Sequence, residues 1–265
     1  VIVTRDGSYL AAGNIASKGR TDKKIDRPAK QVDMADVRNI LLAKVKPNGT
    51  LQWAREYQGN SIAMGYVVIE KAEGGFMVAG NTNVSATNID MFLMSLDASG
   101  NVLWAKTFGA PRFESVADVV QTADGGFIAT GMTHSIGSGS TDLLTFKTDK
   151  QGNLQWAKTY GGASEEYPSK IALSGQDIIT VGSTSSTGSE GFDVLFMKTD
   201  KDGNSGTFGK EAKITVGSFQ PVGRKIEGAA MKKVEQGILP PNMKKPDVNN
   251  IVEHRREARV KDVGN

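Results

Sequence analysis

The feature that most constrains this chain is an internal repeat of roughly 50 residues, present four times. Three segments align without gaps around their tryptophans: NGTLQWAREYQG ending at Gly59, SGNVLWAKTFGA ending at Ala110, and QGNLQWAKTYGG ending at Gly162. Trp53, Trp104 and Trp156 are therefore 51 and 52 residues apart. A second marker precedes each of them and recurs in the fourth copy: Asp36, Asp90, Asp142 and Asp193, at spacings of 54, 52 and 51. The third is EGGFMVAGNT from Glu73, matched by DGGFIATGMT from Asp124, with weaker versions DGSYLAAGNI from Asp6 and GQDIITVGST from Gly175. Three independent markers on one period imply that each repeat is a supersecondary unit burying itself against its neighbours.

Within a unit the pattern reads as four strands. In the third copy, Ser115 to Thr122 alternates as a half-buried strand does, and Asp124-Gly125-Gly126 is a hairpin turn leading into Phe127 to Thr133. The polar loop HSIGSGST leads to Asp142 and the strand LLTFKT; the turn DKQGN then leads into Leu154 to Tyr160. The 31 glycines suit a chain of many tight turns. Four short antiparallel strands per unit predict an all-β fold, a β-propeller of about four four-stranded blades. A β-solenoid fits less well, because its repeats are shorter and its strands parallel. The expected blades are about 1–59, 60–110, 111–162 and 163–216, followed by a basic tail over 217–265 with short helices or an extended arm.

Each repeat position has an architectural reading. Tryptophan buries the largest area of any side chain, so one per unit suits a joint between neighbours. The aspartates at 36, 90, 142 and 193 are expected to accept backbone N–H bonds at the corner before the third strand. The competing reading makes them a ring of ligands around a central channel. Three departures stand out: Thr207 falls where the fourth tryptophan would be, the first copy starts inside its first strand, and Ser17 to Ala35 is a charged insertion.

The segments LDASGNVLWAKTFG and KTDKQGNLQWAKTYGG resemble the tryptophan-docking repeats of the quinoprotein-like propeller superfamily. They are most similar to bacterial and archaeal repeat proteins carrying D-x-x-G-N-x-x-W-x-K-T-[YF]-G-G. The resemblance covers about residues 1–209. It implies a propeller in which the tryptophan packs on the next blade, and an extracellular, cell-surface or periplasmic location. It is nearly silent on activity.

Chemistry-bearing motifs are sparse. There is no cysteine, so disulfides and thiolate metal sites are excluded. No nucleophile elbow, H-E-x-x-H or P-loop occurs. His134 reads as a polar loop residue and His254 lies among arginines in the tail. Asp200-Lys201-Asp202-Gly203-Asn204 lacks the EF-hand spacing and reads as a turn. Glu165-Glu166 is an acid pair of the kind a glycosidase uses, though a propeller rim offers such pairs by chance. No catalytic, cofactor-binding or metal-ligating residue is assigned, and no cofactor is expected.

From Lys210 onward 12 Lys+Arg face 7 Asp+Glu, so the net charge of +3 belongs to the tail. Ile226, Ala230, Val234 and Ile238 fall at every fourth position, giving a short helix one apolar face that Pro240-Pro241 would end. That face is the candidate contact for a protein partner or for self-association. Acidic residues are interspersed and no aromatic follows Phe219, which argues against nucleic acid. No apolar run is long enough to span a membrane. VIVTRDGSYL reads as strand and turn and predicts no signal peptide at this end. The expected function is a non-enzymatic binding or structural scaffold of an exported or surface protein, with a glycan at the loop face as a further candidate ligand. The alternative is an enzyme, either a quinoprotein-like dehydrogenase or a polysaccharide-active propeller.

Overall fold

The computed structural model describes residues 1–16, 38–59, 62–187, 191–206 and 209–226. Contacts divide the chain into Val1–Lys225 and Ile226–Asn265. Within the first unit the described residues form four antiparallel sheets, and no helix occurs among them.

The first sheet runs β1 (Ile2–Val3), β2 (Tyr9–Ala16), β3 (Arg38–Val45) and β4 (Leu51–Gln58). The second runs β5 (Ala63–Glu70), β6 (Phe76–Asn83), β7 (Ile89–Leu96) and β8 (Val102–Gly109). The third runs β9 (Glu114–Gln121), β10 (Phe127–Thr133), β11 (Asp142–Thr148) and β12 (Leu154–Tyr160). The fourth has β13 (Glu166–Ser174), β14 (Asp177–Thr184) and β15 (Asp193–Thr199). Each sheet is thus a run of hairpins in chain order, the cheapest way to pair strands locally.

The repeats agree in register as well as in order. The innermost strands bulge at one place, between Gly65 and Val67 in β5, opposite Gly131 in β9's partner, and between Pro168 and Lys170 in β13. The outermost strands bulge one residue before each tryptophan, at Gln52, Leu103 and Gln155. A bulge adds local twist and re-aims the side chain that follows it; here it presents an indole toward the neighbouring sheet.

Successive sheets pack face to face. Leu10, Ile40, Leu42 and Tyr57 of the first sheet share a core with Phe76, Val78, Phe92 and Met94 of the second. Met77, Ala79, Met91 and Leu93 on the other face of the second meet Phe127, Ala129, Leu144 and Phe146 of the third. Leu143 and Tyr160 of the third then meet Leu195 and Met197 of the fourth. The middle strands of the second and third sheets are consequently buried on both faces, and β7 reads as a nearly unbroken apolar run.

The fourth sheet differs from the expected four-stranded unit, since it has three strands among the described residues. Past Asn204 the chain leaves it and runs back along the outer edges of the other three. Strand β16 (Gly209–Glu211) pairs with β12, β17 (Thr215–Ser218) with β8, and β18 (Val222–Lys225) with β4. The reason lies in the residues: Ser205-Gly206-Thr207 carries no indole to anchor an outer strand, whereas Gly209 fits flush against the Tyr160 ring. The repeat-to-tail boundary expected at Gly217 falls inside β17. Asp36 and the insertion around it, and Ala230, Val234 and Ile238, lie outside the described residues; Ile226 is half-buried at their border.

Candidate functional site: the sheet joints and the edge clasp

The turn before each outer strand is organised by one aspartate. Asp149 accepts bonds from the Gln151 and Asn153 amides and from Asn153 Nδ2, at 2.9, 2.8 and 2.7 Å. Asp97 and Asp200 repeat the pattern with Asn101 and Asn204. This accounts for the D-x-x-G-N signature: Asp closes the turn, Gly supplies the positive φ, and Asn returns the hydrogen bond. It also accounts for Asp200 to Asn204 as a turn, because the Asp200 carboxylate is already occupied.

Each such turn receives an aromatic from the preceding sheet. Trp104 lies over Gly152, its Nε1 donating to the Lys150 carbonyl at 3.2 Å, with Phe127 edge-on at a centroid distance of 6.3 Å. Trp156 lies over Gly203, and Trp53 packs on Phe76. The Tyr57 and Tyr160 hydroxyls donate to the carbonyls of Gly100 and Gly203 at 2.7 and 2.6 Å. Burial pushes both phenols well above their ordinary titration range. The second sheet has Phe108 at this position, and it stacks on Phe146 at 4.5 Å instead.

In each joint a side-chain oxygen accepts from the backbone of the next sheet, at the bulge in the first two joints and one residue beyond it in the third. Asn14 accepts from the Gly65 amide at 2.9 Å, Asn81 from Val116 at 3.0 Å, and Asp118 from Ile171 at 3.2 Å. The bulge frees an N–H from its ladder, and burial would leave that group costly if it stayed unpaired.

Asp90 and Asp142 sit at the mouths of the second and third joints, each beside a buried glutamate of the following sheet. Glu114 accepts from the Ala110 amide at 3.0 Å and the Thr133 hydroxyl at 2.7 Å; Glu166 accepts from Gly162 at 3.1 Å and Thr184 at 2.7 Å. The Asp and Glu of each joint converge on a glycine. A Cβ at Gly109 would strike Asp90 and Glu114, and one at Gly161 would strike Asp142 and Glu166. Burial, with the Glu114 charge behind it, pushes the Asp90 carboxyl up to about 6, and Asp142 is raised by its own burial and the neighbouring Glu166 charge. The corner bond expected of these aspartates is seen at Asp142, which accepts from the Gly139 amide at 3.0 Å. Asp90 Oδ1 and Asp193 Oδ2 are buried without a hydrogen-bond partner among the described residues. The first joint has Ala63 where the others have glutamate, and Phe219 of the returning chain fills the space against Gly59 and Phe92.

The returning strands meet the same part of each outer strand. Lys158 to Tyr160, Lys106 to Gly109 and Arg55 to Gln58 are covered by β16, β17 and β18 respectively. Where the second of these strands passes the loop after β6, a groove of about 370 Å³ opens, lined by Thr82, Asn83, Ser85, Thr107, Ser218 and Phe219. His134 donates its amide to the Phe113 carbonyl and rests its ring on Phe113. Glu165 is reached by the Ser140 hydroxyl at the surface, while Glu166 is enclosed in the joint, so the two do not face each other across a cleft. Among the described residues no three acidic or histidine side chains gather as a metal site, and no helix is long and apolar enough to cross a membrane.

The fold and its joints define an all-β tandem-repeat protein whose units are tied by recurring polar clamps. No family model matches the chain. A stretch of 153 residues is 25% identical to the regulatory protein FlaEY of Caulobacter vibrioides, covering 48% of this chain and 16% of that protein. The likeness thus spans under one fifth of the relative's length.

Proposed function

We propose that the four sheets are blades of a β-propeller, and that the chain is a non-enzymatic binding and structural scaffold of an exported or cell-surface protein. The observation that carries the reading is what the repeated polar residues do. Asp97, Asp149 and Asp200 close turns, Asn14 and Asn81 cap bulges, and Glu114 and Glu166 bind backbone and threonine inside the joints. Groups so fully engaged hold an architecture together and leave little for turnover. The groove beside Thr82 and Ser218 sets small polar side chains next to the apolar Val84, Ala86 and Phe219, a mixed lining suited to a glycan or an extended peptide. Residues beyond Lys225 serve as an assembly contact. A name that denotes regulation in the Caulobacter relative is in keeping with a chain that works by binding.

Light scattering on the full chain and on a version ending at Lys225 tests the assembly role, with circular dichroism confirming that the shorter chain is folded. Loss of assembly on shortening supports it. Saturable binding of pyrroloquinoline quinone with calcium and substrate turnover, or glycan hydrolysis, would overturn the scaffold reading. Export is tested by fractionating cells of the source organism.

A further inference from the structure

The same four positions of each sheet face its successor, and they can be compared along the chain. In the first sheet Leu10, Ile40 and Leu42 are buried there; in the second, Met77, Ala79, Met91 and Leu93; in the third, Ile128, Thr130, Leu143 and Thr145. The fourth sheet presents Ile179, Val181, Val194 and Phe196 at those positions, and Val194 and Phe196 are 84% and 68% exposed. Apart from the half-buried Ala12 of the first sheet, an apolar side chain at these positions is elsewhere enclosed by the next sheet. The opposite end of the stack shows the converse. Phe76 and Phe127 are buried against the preceding sheet, whereas their counterpart Tyr9 is 45% exposed and Leu41 and Ala43 beside it are half-buried.

The two open faces also complement each other in bulk. The fourth sheet carries Phe196 where its predecessors carry Leu42, Leu93 and Thr145. The first sheet carries Ala43 where its successors carry Met94, Phe146 and Met197. At this position the outgoing face is bulkier and the incoming face smaller than their counterparts, the sense a matched pair requires at interior packing density, while Val194 is smaller than Ile40, Met91 and Leu143 and Tyr9 keeps the bulk of Phe76 and Phe127.

We propose that the outward face of the fourth sheet docks the first sheet of a second copy of this chain, repeating between chains the joint found three times within one. The contact is head to tail, so both copies use both faces, and two copies of four sheets close a ring of eight. This deepens the scaffold reading by naming its partner, and it rests on the sheets being blades. It uses the sheet faces and not the residues beyond Lys225, so the two assembly ideas can fail separately.

The test is sedimentation velocity on the full chain across a concentration series, with Val194→Asp/Phe196→Asp and Tyr9→Asp/Leu41→Asp variants. The exposed pair at 194 and 196 can be changed without touching the core of the monomer, and circular dichroism verifies folding in each variant. Expected is a species of twice 28.2 kDa that weakens at least a hundredfold in either variant. Mixing the two variants leaves one intact pair of faces and should restore an open two-chain species. A monomer at all concentrations overturns the proposal. So does a dimer lost only in the 194/196 variant, which would be face to face, and so does one surviving in both variants, which leaves the residues beyond Lys225 as the contact.

Discussion

Substituting Gly152 by alanine should cost far more than the same change at Gly125, although both residues hold a left-handed backbone, at φ of 75° and 81°. A Cβ at Gly125 meets nothing nearer than Lys150 Cβ at 3.8 Å, so only the backbone cost remains, about 1 kcal/mol. A Cβ at Gly152 would stand 2.6 Å from Trp104 Cζ3 and 2.8 Å from Cη2, so the indole must withdraw by roughly 1 Å to reach ordinary contact. That movement gives up the Trp104 bond to the Lys150 carbonyl, about 1 kcal/mol, and the edge-on contact with Phe127, about another 1 kcal/mol. Gly152→Ala should therefore destabilise by about 3 kcal/mol and Gly125→Ala by about 1 kcal/mol. Urea unfolding followed by circular dichroism measures both, with an unchanged slope confirming that the denatured state is the same. In a Trp104→Ala background the extra cost at Gly152 should vanish, giving a coupling of about 2 kcal/mol. Equal costs at the two glycines, or a Gly152 cost unaltered without the indole, would refute the docking argument.

Three further outcomes are expected. Asp90 has its carboxyl raised to about 6, above its unfolded value, so its contribution is fully present below pH about 4 and lost as pH rises through 6. Wild type should therefore lose about 2 kcal/mol relative to Asp90→Asn between pH 4 and 7.5, and parallel stability curves would exclude the buried acid pair. Asp149→Ala removes three turn hydrogen bonds and should cost about 1–2 kcal/mol by thermal or urea unfolding, with Asn153 losing its amide protection. Gly217→Val places a side chain where a Cβ already comes within 2.5 Å of Thr107 Oγ1, so β17 should detach; hydrogen exchange should quicken at least tenfold along β17 and the outer edge of β8, with β6 and β7 still protected.

What could be read from the sequence was what is local and repeated. The period, the strand order within a unit, the D-x-x-G-N turn and the placing of a tryptophan at each joint all follow from residues within one repeat. The Glu114–Glu166 spacing of 52 lies on the same period but is not legible on its own, because a single glutamate at a strand start has no signature until the glycine before it is seen wedged between carboxylates. Asn14 and Asn81 are illegible for a related reason: their partner is a backbone amide freed by a bulge, and bulges leave little trace in composition. The returning strands were hidden most completely. Strands β16, β17 and β18 are three or four residues long and pair with residues about 50 to 170 positions away, so no local periodicity announces them. The glycines at 209, 217 and 223, each lying opposite Tyr160, Thr107 or Tyr57, were the available trace.

The returning strands change how such an array should hold together. In a plain repeat array each unit touches only its neighbours, stability is nearly a sum of unit and joint energies, and end units can fray alone. Every outer strand would also be an open edge, a template for pairing with other chains. Here one stretch, Gly209 to Lys225, occupies the edges of three sheets, in the order third, second, first. Opening the first sheet must strip β18 from β4 and expose the Phe219 that plugs the first joint. The third and first sheets, which are not neighbours, are thereby coupled through seventeen consecutive residues. The fourth sheet receives no such strand among the described residues, and it also carries the bare Val194 and Phe196. The clasp therefore protects the edges of three sheets, while the one sheet outside it among the described residues carries the more exposed of the two open end faces.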